Sequence, residues 1–275
     1  MNTQFLEHDG GRIAYDVAGA GPAVICVPSM GDVRAEYRLL APALAAAGWQ
    51  VATMDQRGIG ESDASWSDYS VAGIGSDIVA LARRLNGGRA VVIGDSSGGG
   101  AAVWAAAEAP DVIAGIVLVD AFVRDFPSAK NTLFGLLAPL VFAGPWGAGA
   151  WLSFYSSLYP TQQPADFEAY KAALLGNLRE PGRLSALRGQ LSAPKTASAE
   201  RLARIAMPTL VLFGTRDPDF ADPEVEARWI AGQVGGEVRM IDGAGHYPHA
   251  EMPAEALSAI SPFLSGVFAD GPGGA

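Results

Sequence analysis

A serine hydroxyl becomes a nucleophile at neutral pH when an imidazole takes its proton and a carboxylate orients that imidazole. Ser96 stands in Gly94-Asp95-Ser96-Ser97-Gly98, a Gly-x-Ser-x-Gly run. The chain has three histidines, His8, His246 and His249. His246 closes Asp242-Gly243-Ala244-Gly245-His246 just after an apolar run, while His249 comes three residues later and His8 lies near the N-terminus. His246 is therefore the preferred base. For the acid, Asp217 lies early in Gly214-Thr215-Arg216-Asp217-Pro218-Asp219, with Asp219 behind it, and Asp120 closes a different apolar run. Asp217 is preferred, and Asp120 stays open as the alternative. With 34 glycines in the chain, the serine run alone also fits a Gly-rich turn that carries no chemistry.

The flanking residues strengthen the nucleophile reading. Ala90-Val91-Val92-Ile93 reads as a buried strand and Ala101-Ala102-Val103-Trp104-Ala105-Ala106-Ala107 as a helix, so Ser96 sits at a sharp strand-to-helix turn. Gly94 and Gly98 flank that turn, where a Cβ would crowd helix against strand. Further strands are read at 3–8, 12–17, 23–27, 50–54, 112–119, 209–213 and 237–241, with helices at 35–47, 71–85, 222–233 and 253–266. Asp9-Gly10-Gly11 joins the first two strands as a hairpin. Apolar strands alternating with helices predict an α/β fold with a mostly parallel sheet covered on both faces. From about 122 to 203 the alternation stops and several helices are expected. This divides the chain into a core of 1–121 and 204–268, a helical cap of 122–203 and a flexible tail of 269–275.

Composition narrows the partners. Apolar residues make up 49% and charged residues 17% of the 275, as in a globular protein rather than a disordered one. The net charge of −10 argues against nucleic acid and anionic membrane. Cys26 is the one cysteine, which excludes an internal disulfide and a multi-cysteine metal site. The dispersed histidines and carboxylates give no metal-ligand spacing, and Gly94–Gly100 lacks the dinucleotide fingerprint, so neither metal nor cofactor is expected. Asn131 to Ala165 contains no charged residue, yet Pro139, Gly144-Pro145, Gly147 and Gly149 break it into pieces too short to span a bilayer. Trp146, Trp151, Phe154 and Tyr155 in this stretch are candidate pocket walls. The N-terminus shows no secretory signal, so a cytoplasmic location is expected.

The chain order Ser96, Asp217, His246 resembles that of the α/β-hydrolase superfamily, specifically its lidded esterase- and lactonase-type members. Asp55-x-Arg57-Gly58-x-Gly60-x-Ser62, the Gly-x-Gly-His run and the helical insertion after the sixth strand extend the likeness over nearly the whole chain. The resemblance implies that Ser96 attacks an acyl carbonyl, His246 moves the proton and Asp217 orients His246. It also implies an oxyanion hole from the backbone N–H groups of Ser97 and Met30. The expected substrate is a small ester or lactone with an apolar acyl or alcohol part. Carbon–carbon bond hydrolysis, perhydrolysis and a low-turnover receptor are the alternatives on the same triad. An epoxide hydrolase or haloalkane dehalogenase is disfavoured, because these carry Asp at the apex. Pro28-Ser29 departs from the family's usual His-Gly and predicts an oxyanion loop seated differently. Asp95, beside the nucleophile, is expected either to repel anionic substrates or to turn away into a hydrogen bond.

Overall fold

Five-residue apolar runs such as Ala23–Val27 have no polar side to give to water, so they require a sheet covered on both faces. A computed structural model describes residues 3–85, 88–125 and 140–269 of the chain and shows such a sheet. Its strands are β1 (Gln4–His8), β2 (Gly11–Ala18), β3 (Ala23–Val27), β4 (Gln50–Met54), β5 (Ala90–Asp95), β6 (Ile113–Val119), β7 (Thr209–Gly214) and β8 (Glu237–Ile241). In space they run β1-β2-β4-β3-β5-β6-β7-β8. The β1–β2 and β2–β4 pairs are antiparallel and every later pair is parallel.

The helices are α1 (Leu40–Ala46), α2 (Val71–Arg84), α3 (Ser97–Glu108), α4 (Gly147–Ser157), α5 (Phe167–Leu178), α6 (Arg183–Ser192), α7 (Thr196–Ala199), α8 (Pro223–Val234), α9 (Pro248–Glu251) and α10 (Pro253–Ala269). One face of the sheet packs on α2, α3 and α8 through residues such as Ile25, Val92, Ile78 and Ile230. The other packs on α1 and α10 through Val24, Ile93, Leu44 and Ile260. Both sides of β5 are thus covered, which is why its apolar run does not alternate.

The strand readings fall within two residues of the observed bounds. The helix expected at 35–47 is instead a 3-10 turn, Arg34–Tyr37, followed by α1. Arg34 has three acidic partners, Asp16, Asp55 and Glu61, and these anchor the separate turn.

The helices α4 to α7 lie between β6 and β7. An apolar cluster of Phe142, Trp151, Tyr155, Tyr159, Phe167 and Leu174 joins the first of them to Tyr247 and Ile59. The chain rejoins the core before residue 204: Ser198 Oγ donates to the Gly100 carbonyl at 2.7 Å, and Arg201 and Arg204 both reach Glu108. Residues 131–139 of the uncharged stretch and 270–275 of the expected tail lie outside the described residues. Among the described residues no helix is long and apolar enough to cross a membrane.

Candidate active site

Parallel strands deliver their C-terminal ends to one edge of the sheet, and the chain places its chemistry there. Ser96 follows β5, Asp120 follows β6, Asp217 lies just beyond β7 and His246 just beyond β8. The four loops are stitched together. Ser96 N–H donates to the Val119 carbonyl at 2.9 Å, Asp120 N–H to Leu212 at 3.0 Å and Arg216 N–H to Ala244 at 2.9 Å.

Ser96 has φ 52° and ψ −116°, a region that costs a non-glycine residue about 1–3 kcal/mol. The carbonyl of this strained residue accepts the N–H groups of Gly99, Gly100 and Phe122, and these hold it in place. The flanking glycines are a steric necessity. A Cβ at Gly98 would stand 2.6 Å from the Val27 carbonyl oxygen, and one at Gly94 would meet the Gly98 backbone. Gly98→Ala is therefore expected to cost about 3 kcal/mol, or ~10 °C in melting temperature. Gly149→Ala is the control, since nothing lies within 4 Å of its Cβ position. An unchanged melting temperature in Gly98→Ala would contradict this tight approach.

His246 is 1% exposed and its Nδ1 lies 2.6 Å from Asp217 Oδ2. Asp219 Oδ2 is 4.0 Å away, while the Asp219 N–H donates to Asp217 Oδ1 at 2.9 Å. Asp120, the alternative acid, lies in the same buried group, and its two oxygens accept Gly214 N–H at 3.1 and 3.2 Å. Burial, then the charge of Asp217, raises Asp120 well above the usual carboxylate range, which disfavours a second charge beside Asp217.

Burial works against the His246 imidazolium, but the Asp217 charge, the hydrogen bond to it and the Asp219 charge outweigh burial and raise the group to about 9. A base must be neutral to act, so kcat/KM is expected to rise with pH through an apparent pKa toward 9. A pH–rate profile checks this, and an inflection at the ordinary value of about 6.5 would contradict it.

Two backbone N–H groups lie in the loops at this edge. Ser97 is the first residue of α3, where N–H groups have no partner inside the helix. Among the described residues neither Ser97 N–H nor Met30 N–H has a hydrogen-bond acceptor. The peptides around Met30, by contrast, are pinned. Gln56 Nε2 donates to the Pro28 carbonyl at 2.5 Å, Ser29 N–H to Glu36 Oε2 at 2.8 Å, and Gly31 N–H to Gln190 Oε1 at 3.0 Å. Gln190 of α6 also donates to Gln56 Oε1 at 2.9 Å. The Pro28-Ser29 loop thus has braces that the sequence reading did not foresee. Glu36, Gln56 and Gln190 had no motif to mark them, because their roles depend on contacts between residues far apart in the chain. Gln56 at least lay in a quoted loop.

The candidate pocket aromatics separate. Trp151 and Tyr155 are buried, and the Trp151 ring covers Gly31 so closely that a Cβ there would stand 2.9 Å from it. Phe154 is partly buried beside Trp151 at a ring distance of 5.4 Å. Trp146 departs from expectation: it is 62% exposed, because it lies before the first turn of α4 on the outer side. Asp95 also behaves otherwise than expected. It is fully buried and neither oxygen has a hydrogen-bond partner among the described residues. Burial above all raises its carboxyl well above the usual range. That burial disfavours a charge on Asp95 and so disfavours repulsion of an anionic substrate. Cys26 is buried, and burial pushes its thiol up. The carboxylates and histidines dispersed in the sequence form two buried groups in the fold, Asp120–Asp217–His246 and Glu36–Asp95–His249, each with polar atoms within 4.8 Å of one another.

Residues 22–253 match the alpha/beta hydrolase fold family. An uncharacterized Mycobacterium tuberculosis protein is 25% identical over 95% of this chain and 80% of its own. Epoxide hydrolase A of the same organism is 26% identical over 96% of this chain and 97% of its own. The crystal structure of a hydrolase from Pseudomonas aeruginosa superposes with a TM-score of 0.78 at 26% identity, covering 96% of this chain and 98% of that one. The eight-stranded sheet, the serine at the β5–α3 turn and the match over most of the sequence make the chain a member of the alpha/beta hydrolase family.

Proposed function

We propose that this hydrolase cleaves a carboxylic ester or lactone through an acyl-enzyme on Ser96. The observation that carries the reading is the buried 2.6 Å pair of His246 Nδ1 and Asp217 Oδ2 on the sheet edge where Ser96 stands at a strained turn. In this mechanism Ser96 Oγ attacks the carbonyl carbon as His246 Nε2 takes its proton. His246 then gives that proton to the leaving alkoxide. Water enters and attacks the acyl carbon as His246 removes its proton, and His246 returns that proton to Ser96 Oγ as the acyl–Oγ bond breaks and the carboxylic acid departs. Asp217 fixes the imidazole tautomer throughout. The free N–H groups of Met30 and Ser97 are suited to receive the oxyanion.

The helices between β6 and β7 would form a cap over this edge, with Trp151, Phe154 and Tyr155 as apolar walls for the acyl or alcohol part. Serine at the apex separates the chain from relatives that open epoxides with a carboxylate. The bracing of Pro28, Ser29 and Gly31 favours turnover over a receptor role, for which the altered loop was the main argument.

The test is hydrolysis of p-nitrophenyl acetate and butyrate, with intact-mass detection of a fluorophosphonate adduct. One adduct, located on Ser96, and release of nitrophenol above background are expected. Wild-type protein that neither turns over nor labels would refute the proposal.

A further inference from the structure

A second buried carboxyl–imidazole pair lies beneath the oxyanion loop, and the acyl-transfer mechanism above does not use it. Glu36 Oε1 and His249 Nε2 are 3.0 Å apart, with the side chains 1% and 0% exposed. The other oxygen of Glu36 accepts the Ser29 N–H at 2.8 Å. His249 stacks on Tyr37 at 4.6 Å between ring centres and 22° between planes. Tyr37 OH reaches the carbonyls of Val27 and Ile93, the ends of β3 and β5. On the far side, His249 Nδ1 lies 4.0 Å from Asp95 Oδ1, next to the nucleophile. One cluster therefore joins the oxyanion loop, the elbow and the helix after the His246 loop.

Such a cluster is costly to bury and needs a return. Buried polar groups without full partners destabilise a fold, and Asp95 together with His249 Nδ1 has orphaned atoms. Burial raises Glu36 and lowers His249. Both directions favour a neutral pair in which the Glu36 carboxyl donates to His249 Nε2. That leaves the other carboxyl oxygen as a fixed acceptor for Ser29. The Pro28–Ser29 peptide, one before the peptide that carries the Met30 N–H, is then oriented by a buried side chain rather than by the loop's own sequence, whose Pro28 supplies no N–H.

We propose that Glu36 and His249 are positioning residues that set the Ser29 peptide and thereby aim the Met30 N–H at the oxyanion. The proposal rests on the serine-hydrolase reading above.

The experiment compares wild type with Glu36→Met, which fills the same volume without an acceptor, and with Glu36→Gln, which retains one. Each is assayed on p-nitrophenyl butyrate and its thiono (C=S) analogue. Rates are expressed per serine titrated by fluorophosphonate to completion, so misfolded enzyme is not counted. Backbone N–H groups bond an oxyanion far better than a thiolate-like sulfur, so a mis-aimed donor hurts the oxo ester selectively. Glu36→Met is expected to lower kcat on the oxo ester about 30-fold with KM moved less than about threefold, within the range for impaired oxyanion donors. Its oxo-to-thiono ratio should fall about tenfold, and Glu36→Gln should recover most of both. His249→Phe, which keeps the stack on Tyr37, provides the same comparison if Glu36→Met does not fold. Equal losses on the two esters, or unchanged rates per titrated serine, would overturn the proposal. A wild type that neither labels nor turns over would instead remove the hydrolase reading on which it stands.

Discussion

Ser96→Ala is expected to lower kcat on a p-nitrophenyl ester about 10⁶-fold, the loss that follows when a serine triad is deprived of its nucleophile. The size follows from how the residues act as a unit. Without Oγ, His246 has no proton to take, and only bound water and the Met30 and Ser97 donors remain. The fold should be untouched, because the Ser96 hydroxyl makes no hydrogen bond among the described residues while its backbone keeps every contact. The substitution thus separates chemistry from stability, with melting temperature and circular dichroism as the stability readouts. Residual turnover above about one-thousandth of wild type, after further purification, would place the nucleophile elsewhere. A fluorophosphonate adduct persisting in Ser96→Ala would lead to the same conclusion.

The second large effect concerns the acid. Asp217→Asn is expected to lower kcat about 10³- to 10⁴-fold, because an amide beside Nδ1 favours the wrong imidazole tautomer. Asp120→Asn should cost less than about tenfold. Its amide oxygen can still accept the Gly214 N–H held at 3.1 Å, and an uncharged amide suits a site where burial and Asp217 raise the carboxyl above its usual range. Two carboxylates this close to one imidazole cannot both carry charge easily. A reversed ranking of the two variants would make Asp120 the orienting acid.

The sheet could be read closely from sequence because its causes are local. Ala23–Val27 and Ala90–Asp95 are apolar without alternation, and only a doubly covered strand accommodates that. The elbow was equally legible, since Gly94 and Gly98 allow a close approach that a side chain would forbid. The positions of Ser96, Asp217 and His246 followed from one rule, that parallel strands end on the same edge. The braces of the oxyanion loop escaped notice for the opposite reason. Glu36 and His249 are 213 residues apart, and Gly31 and Gln190 are 159 apart. Such pairs leave no period and no motif. The 3-10 turn at Arg34–Tyr37 was missed because three carboxylates from elsewhere in the chain decide it, whereas helix propensity there favours a continuous helix. Trp146 was misplaced because aromatic content alone says nothing about which side of a helix meets solvent.

The helices between β6 and β7 are fastened to the reacting loops at several points. Leu158 C=O receives the His246 N–H at 3.1 Å. Glu251 receives Gly245 N–H at 2.7 Å and Gln162 N–H at 3.1 Å, and Gln190 receives Gly31 N–H. Specificity and rate are consequently inherited together. On the proposed mechanism, a chimera that takes this segment from a relative imports not only new pocket walls but also new tethers for the His246 loop and the Pro28–Gly31 loop. Grafts that retain Leu158 to Gln162 and Gln190, and exchange only the residues between them, are the recombinants expected to remain alive. Selection for a new substrate would meet the same restriction, with change concentrated between the tethers rather than at them.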